Sequence, residues 1–315
     1  MKSLDEFRTY YNSMYYRLVA LDSQRENVKR RLDLMYGLVV VIGVCLFLIF
    51  YRYKLIPTLL ITVVVISIQI LTGYILQYFI KRNYLIEFKE IFIKEAIVFF
   101  SESLEYKPDA FIPIEEFNLS RLYIGSPDQY TGEDLVSGTL YSSQEKENLG
   151  KGINIKMSEL EVKERRRGHK GQSHYATYFK GVFMIIDFNK NFKGETFILE
   201  DAGVFNYLGG RNGTERVKLE DIDFEKKFAV YGTDEIETRE LLTPSFIDDI
   251  YEMSCRIGKP KMALINNKMY IGIPTKGNIL EPMYKDSLLE FDNVKKYYDQ
   301  LAKYFKVIEE LNLDE

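Results

Sequence analysis

Few residues in this 315-residue chain have the type and spacing that chemistry requires. Ser143-Gln144-Glu145-Lys146 fits the Ser-x-x-Lys pattern, in which a lysine activates a serine nucleophile. Its usual partner motifs, Ser-Asp-Asn and Lys-Thr-Gly, are missing, and the stretch is polar throughout. His169 and His174 lie five apart in a stretch that holds Gly168 and Gly171, where a helix would need a spacing of three or four to place both on one face. They read as a loop joining two strands, not as a metal pair. Asp221 and Asp223 would share one face of a strand, and with no nucleotide motif nearby they read as surface carboxylates. The chain has no phosphate loop, no Gly-x-Gly-x-x-Gly, no His-Glu-x-x-His and no Gly-x-Ser-x-Gly elbow. Its two cysteines, Cys45 and Cys255, make neither a disulfide framework nor a Cys-x-x-Cys zinc site. No catalytic, cofactor-binding or metal-ligating residue is assigned, and no cofactor is expected. Glu164-Arg165-Arg166-Arg167-Gly168-His169-Lys170 is a compact basic cluster. It suits either contact with anionic lipid headgroups or a solvated hairpin tip, and the second is the default reading.

Composition narrows the classes further. Apolar residues make up 46% and charged residues 28%, so the chain can bury a core. Lys and Arg total 42 against 46 Asp and Glu, a net charge of −4 that argues against a nucleic-acid partner. The length suits about two domains.

The apolar residues concentrate in two runs without a charge, Leu34–Tyr51 and Leu55–Ile80. As helices they would measure about 27 and 39 Å, against a hydrocarbon core of about 30 Å. A signal peptide would begin nearer residue 1, and a buried helix of that length without a charge is rare in a soluble domain. The runs therefore predict two transmembrane helices, about 34–51 and 55–80, joined by a turn at Arg52-Tyr53-Lys54 with Pro57 in the first turn of the second helix. Basic residues flank the pair on both sides: Arg17, Arg25, Lys29, Arg30 and Arg31 before it, Lys81, Arg82, Lys89 and Lys94 after it. That bias places both termini in the cytoplasm.

Leu4, Phe7, Tyr11, Met14, Leu18, Leu21, Arg25, Val28, Leu32 and Met35 recur at alternating spacings of three and four, with Arg25 the one polar member. This seam predicts a coiled helical extension over 3–33, packed on the extension expected over 81–107, which Pro108 ends. A homodimeric coiled coil through the same seam is the rival. The domain reading is thus a helical hairpin over 1–107 and a cytosolic α+β domain over 108–315.

In the second part, strands are expected at Arg121–Ile124, Ile153–Val162, Tyr178–Phe188, Glu195–Leu199, Arg216–Leu219 and Phe228–Tyr231. Thr131–Asp134 and Gly138 read as turns, and Glu195–Leu199 should pair with Tyr178–Phe188 across Asn189–Gly194. Gly209–Gly213 reads as another turn. Asp234–Leu242 and Pro244–Arg256 read as helices, the second capped by Thr243. Lys261–Ile265 and Met269–Ile273 form a hairpin about Asn266-Asn267-Lys268, and Leu288–Leu311 a final amphipathic helix. Gly181, inside the strongest strand, marks a bulge or a close backbone approach. The fold class is α+β, with a mostly antiparallel sheet and C-terminal helices after the transmembrane hairpin.

Several segments in order carry a family resemblance: Leu21-Asp22-Ser23-Gln24-Arg25 before the apolar runs, Tyr130-Thr131-Gly132-Glu133-Asp134, Met157-Ser158-Glu159-Leu160, Phe179-Lys180-Gly181-Val182-Phe183, Asp187–Gly194, Phe224–Tyr231 and Arg239–Pro244. Together they resemble an uncharacterised bacterial family of membrane proteins catalogued only as a domain of unknown function. The resemblance implies a multi-pass protein of the bacterial inner membrane and supplies no substrate, cofactor or catalytic residue.

The leading functional reading is a membrane-anchored binding or scaffold module, with the lipid bilayer and a protein, peptide or lipid-headgroup partner, and with homo-oligomers open. The alternative is a membrane-bound hydrolase or transferase whose site is scattered in sequence. A transport role is disfavoured, because Gln69 and Gln77 are the only strongly polar side chains in the two apolar runs.

Overall fold

The computed structural model describes residues 2–52, 58–123, 125, 127–141, 152–167, 173–187, 192–201 and 213–311. Tyr53 and Lys54 of the expected turn, Pro57, Ser143–Lys146, His169 with Gly168 and Gly171, Asn189–Asn191 and Gly209–Asn212 lie outside the described residues. The chain divides into two compact units. One comprises Leu4–Glu95 with Glu281–Tyr297, the other Ala96–Leu280 with Tyr298–Glu315 and Met1–Ser3.

The first unit is helical. Helix α1 (Leu4–Arg52) runs unbroken for 49 residues, about 74 Å. Helix α2 (Thr58–Phe88) is followed by a π-helical turn, Lys89–Ile93, and then α3 (Lys94–Phe100). Side-chain contacts place α1 and the α2 rod in one antiparallel register. Arg17 meets Glu95 at 2.6 Å, Gln24 meets Glu87 at 2.6 Å, Tyr36 meets Gln77 at 2.9 Å and Gln69 reaches the Val39 carbonyl at 3.3 Å. The seam from Phe7 to Met35 is buried within the chain. Beyond it the character of the helices changes. Two stretches, within Leu4–Ile49 and Val63–Phe100, are long and apolar enough to cross a membrane. Their apolar side chains, such as Leu38, Val40, Ile70 and Leu71, stand exposed. A helix at the core of a soluble protein would bury them.

Segment 281–297 lies against the seam, and it gets its backbone hydrogen bonds from buried polar side chains. Arg25, the exception in the heptad, pairs with Asp22 at 2.7 and 3.2 Å and donates to the Tyr284 carbonyl at 3.1 Å. Asp22 in turn accepts the Leu288 N–H at 2.8 Å, and the Tyr11 hydroxyl donates to the Leu288 carbonyl at 3.1 Å. Both Asp22 and Arg25 are buried. Burial raises the Asp22 carboxyl, but its bonds to Arg25 and Leu288 outweigh that and hold it below its ordinary value. The Tyr297 ring packs on Phe88 and Phe92, with centroids at 5.3 and 5.2 Å.

The second unit is built on a nine-stranded sheet, antiparallel throughout, in the order β1-β2-β3-β4-β9-β8-β5-β7-β6. The strands are β1 (Leu104–Lys107), β2 (Gln129–Leu140), β3 (Ile153–Arg167), β4 (Ser173–Asp187), β5 (Thr196–Glu200), β6 (Glu215–Val217), β7 (Phe228–Gly232), β8 (Lys261–Ile265) and β9 (Lys268–Pro274). One face carries a core of Leu160, Val162, Phe179, Phe183 and Phe197, closed by Phe117 of α4 (Ile114–Leu119). The helices after the long hairpin are α5 (Ile222–Glu225), α6 (Glu235–Leu241), α7 (Pro244–Ile257) and α8 (Phe291–Glu310). The expected caps are present: Thr243 accepts the Phe246 N–H at 3.4 Å, with Pro244 in the first turn. Asn266 and Asn267 take φ of +51° and +58°, the left-handed pair that a two-residue hairpin turn demands.

The α+β class and the antiparallel sheet are as expected, and five local expectations are corrected. The extension over 81–107 ends as helix at Phe100, and Leu104–Lys107 is strand β1, its residues alternately buried and exposed. Leu104 and Tyr106 at period two fill the sheet, which outweighs the absence of a helix breaker before Pro108. Arg121–Tyr123 form no strand, and Arg121 has φ +51°. Thr131–Asp134 and Gly138 are not turns but the interior of β2. Asp134, at φ +61°, sits in a register shift between Glu133 and Val136, so the turn residues mark a bulge. Strand β5 pairs with β7 and β8, and β4 pairs with β9, which matches seven of its residues, Gly181–Asp187. Gly181 is a close approach, since a Cβ there would lie 2.0 Å from the Ile273 carbonyl oxygen. Asp221 caps α5 through the Phe224 N–H and Asp223 pairs with Lys226, so the two share no strand face.

The buried pair should dominate the stability of the helical unit. Arg25→Ala strands the Asp22 carboxylate and should cost about 3–5 kcal/mol. Arg17→Ala, at an exposed position, should cost under about 1 kcal/mol. Thermal unfolding of the full chain in lipid nanodiscs checks this, and equal losses in the two variants would contradict it.

Candidate functional site

A polar cleft of about 220 Å³ lies on the face of the sheet opposite Leu160. Three neighbouring strands form its floor, and the register explains its shape. Gly132, Leu160 and Gly181 stand side by side on β2, β3 and β4. On the other face, Thr131, Glu161 and Lys180 align next to Glu133 and Glu159. Thr275 and Asn278, beyond β9, complete the rim. Asn278 donates to Glu133 at 2.5 Å, and the Thr275 N–H donates to the Lys180 carbonyl at 3.0 Å. Lys163 approaches Glu161 at 3.2 Å and Lys180 approaches it at 3.8 Å.

Glu159 is the unusual member. It is 7% exposed, and one carboxylate oxygen accepts the N–H groups of Ile279 and Leu280 at 2.9 and 3.1 Å. Burial pushes its carboxyl up to about 7, and the negative charges of Asp134 and Glu133 act in the same sense. The two backbone N–H groups oppose them by favouring the ionised form. Asp134 is itself buried and accepts a hydrogen bond from the Tyr106 hydroxyl. The cleft thus holds a carboxyl that exchanges its proton near neutral pH and clamps the irregular segment after β9 to the sheet. No group of three His, Cys, Asp or Glu among the described residues has the arrangement of a metal site.

None of the sequence candidates meets in this cleft. His174 is exposed on β4, and Arg165–Arg167 end β3. Sequence motifs give Glu159 no chemical role, although its register signals one: Ile153, Ile155 and Met157 precede it on the same side of the strand, and all three are buried. A carboxylate at the next position of an apolar row needs a partner for burial.

Residues 177–313 match the family described as protein of unknown function (DUF3137), which bears out the expected resemblance to an uncharacterised family over that span. No curated protein matches the chain. Among solved structures it is similar to the crystal structure of the mycobacterial trehalose monomycolate transport factor A, TtfA, at 10% identity and a TM-score of 0.35 over 67% of this chain and 92% of that one. That likeness is too slight to define a shared fold.

The titration has a definite sign. A carboxyl whose folded value is raised from 4.5 to about 7 favours the folded state below pH 4.5, and this contribution is lost as pH rises through 7. The full swing is about 3 kcal/mol. Glu159→Gln keeps an oxygen for the two N–H groups and removes the proton. Its stability relative to the parent should therefore rise between pH 5 and pH 8, read as the difference in thermal midpoints. Parallel pH profiles for the two proteins would contradict the burial argument.

Proposed function

We propose that the protein is a membrane-anchored binding or scaffold module. Its two apolar helices cross the bacterial inner membrane, both termini lie in the cytoplasm, and the α+β unit binds a protein, peptide or lipid-headgroup partner there. The observation that carries this reading is the outward exposure of the apolar side chains on both long helices, which suits lipid and not water. The orientation is supported by the basic residues on both flanks, Arg25 to Arg31 and Lys81 to Lys94. Gln69 and Gln77 find partners on α1, which leaves them to helix packing and not to an ion path.

One observation favours a second reading, a membrane-bound hydrolase or transferase. The carboxyl of Glu159, raised to about 7 in a polar cleft, has the proton affinity that suits a general base. Thr131 and Thr275 line the same cleft.

The orientation is tested by fusion at residue 315. A reporter active only in the cytoplasm should give full signal there, and a reporter active only after export should give none. The reverse result would overturn the proposal.

A further inference from the structure

Strands β3 and β4 outrun their neighbours. The register of β2 with β3 ends at Gln129 opposite Lys163, and that of β9 with β4 ends at Pro274 opposite Gly181. Past Asp128, whose N–H donates to the Lys163 carbonyl, and Thr275, whose N–H donates to the Lys180 carbonyl, the strand pairing is between β3 and β4: Arg165 with Tyr175, Arg166 with His174 and Arg167 with Ser173. A register shift at Val162/Lys163 sets the ribbon off from the sheet. The result is a two-stranded arm that carries arginine on both faces, since successive residues point to opposite sides.

The arm is strongly basic in a chain of net charge −4. Lys163, Arg165, Arg166 and Arg167 outnumber the carboxylates beside them, which are Glu164 in the segment, Glu161 against Lys163 and Asp128 at the Arg165 N–H. Arg165, Arg166 and Arg167 are all exposed. Arg166 pairs with Glu164. Arg165 directs its Nε to the Ser173 hydroxyl at 2.8 Å, and its own N–H is held by Asp128 at 2.7 Å. Among the described residues no carboxylate forms an ion pair with the guanidinium of Arg165 or Arg167. Tyr175, opposite Arg165, is 52% exposed. An aromatic ring with a polar tip beside unpaired guanidinium groups is the composition of a membrane-interface contact. Guanidinium groups bind phosphate oxygens in a two-pronged fashion that lysine cannot reproduce.

We propose that this ribbon docks on anionic phospholipid headgroups through Arg165, Arg166 and Arg167, with Tyr175 seated at the interface. The proposal rests on the membrane-anchored reading: anchorage of the same chain in the bilayer makes the contact intramolecular and raises the effective concentration of headgroups around the arm. Lipid phosphate is favoured over nucleic-acid phosphate because the chain as a whole is acidic. Each arginine near an anionic surface multiplies the ratio of docked to undocked arm roughly fivefold. The contact is electrostatic, so it weakens as salt shortens the screening length to about 3 Å at 1 M.

The test uses the full chain in nanodiscs, with Cys45 and Cys255 replaced by serine and an environment-sensitive dye on His174→Cys. In discs containing phosphatidylglycerol the emission should shift to the blue and resist an aqueous quencher. It should do neither in phosphatidylcholine alone, nor in 1 M salt. Arg165→Glu/Arg166→Glu/Arg167→Glu should abolish the shift. Arg165→Gln/Arg167→Gln, which is gentler on the fold, should lower the ratio of docked to undocked arm roughly twenty-five-fold. If the chain enters the discs and the dye ignores headgroup charge, the ribbon inference fails by itself. If the chain does not enter either disc, the anchored reading fails and takes the inference with it. A response to a single-stranded oligonucleotide in neutral discs, with none to phosphatidylglycerol, would overturn the proposal in favour of nucleic acid.

Discussion

Val40 on α1 and Ile70 on α2 are 63% and 68% exposed, and they stand for two whole surfaces of leucine, isoleucine and valine. In water every square ångström of such surface costs about 25 cal/mol. The helices cannot escape this cost by folding on each other, because a pair of rods buries only the stripe along which they touch. Lipid removes it, and a helix is one of the few structures lipid accepts, since its backbone hydrogen bonds are all internal. The solvent demanded by 34–51 and 63–80 therefore governs the rest of the molecule. It fixes one end of a 49-residue helix whose other end, from Phe7 to Met35, packs against protein.

Away from the apolar belt, the common theme is irregular backbone held by buried charge. The chain leaves β9 at Pro274 and has no regular secondary structure until α8 begins at Phe291. Backbone groups in such a stretch need partners that neither helix nor sheet supplies. Glu159 takes two N–H groups in the sheet unit, and Asp22 with Arg25 takes an N–H and a carbonyl in the helical unit. These charges are retained at a desolvation cost that a hydrophobic core would not incur. What they supply is direction. A carboxylate in a defined place accepts particular N–H groups, so the segment takes one path where an apolar surface would tolerate several.

Much of this was legible because it is local. The heptad from Phe7 to Met35, the uncharged runs, the Thr243-Pro244 cap and the Asn266-Asn267 hairpin each depend on residues a few positions apart. The failures are non-local or concern residues that serve two purposes. Nothing near Thr196 declares that its strand belongs beside β7 and β8, because strand order is set by which apolar faces match across the whole sheet. Gly132 and Asp134 carry the composition of a turn, yet a bulge in a long strand uses the same residues for the same backbone reason. Leu104–Lys107 lacks a helix breaker and still leaves the helix for the sheet edge. Glu159 is readable as a carboxylate in an apolar register, and Arg25 as the polar member of its seam. In both, the pattern showed the exception, but only the fold supplied the partner.

The two native cysteines offer the most direct measurement. Both are exposed on the protein surface, Cys45 within the first apolar run and Cys255 on α7 of the sheet unit. A water-soluble maleimide added to the full chain in lipid nanodiscs should modify Cys255 and leave Cys45 intact until detergent denatures the protein, as counted by mass spectrometry. Equal labelling of both thiols in the intact discs would show that water, and not lipid, surrounds α1, and would contradict the proposed membrane crossing.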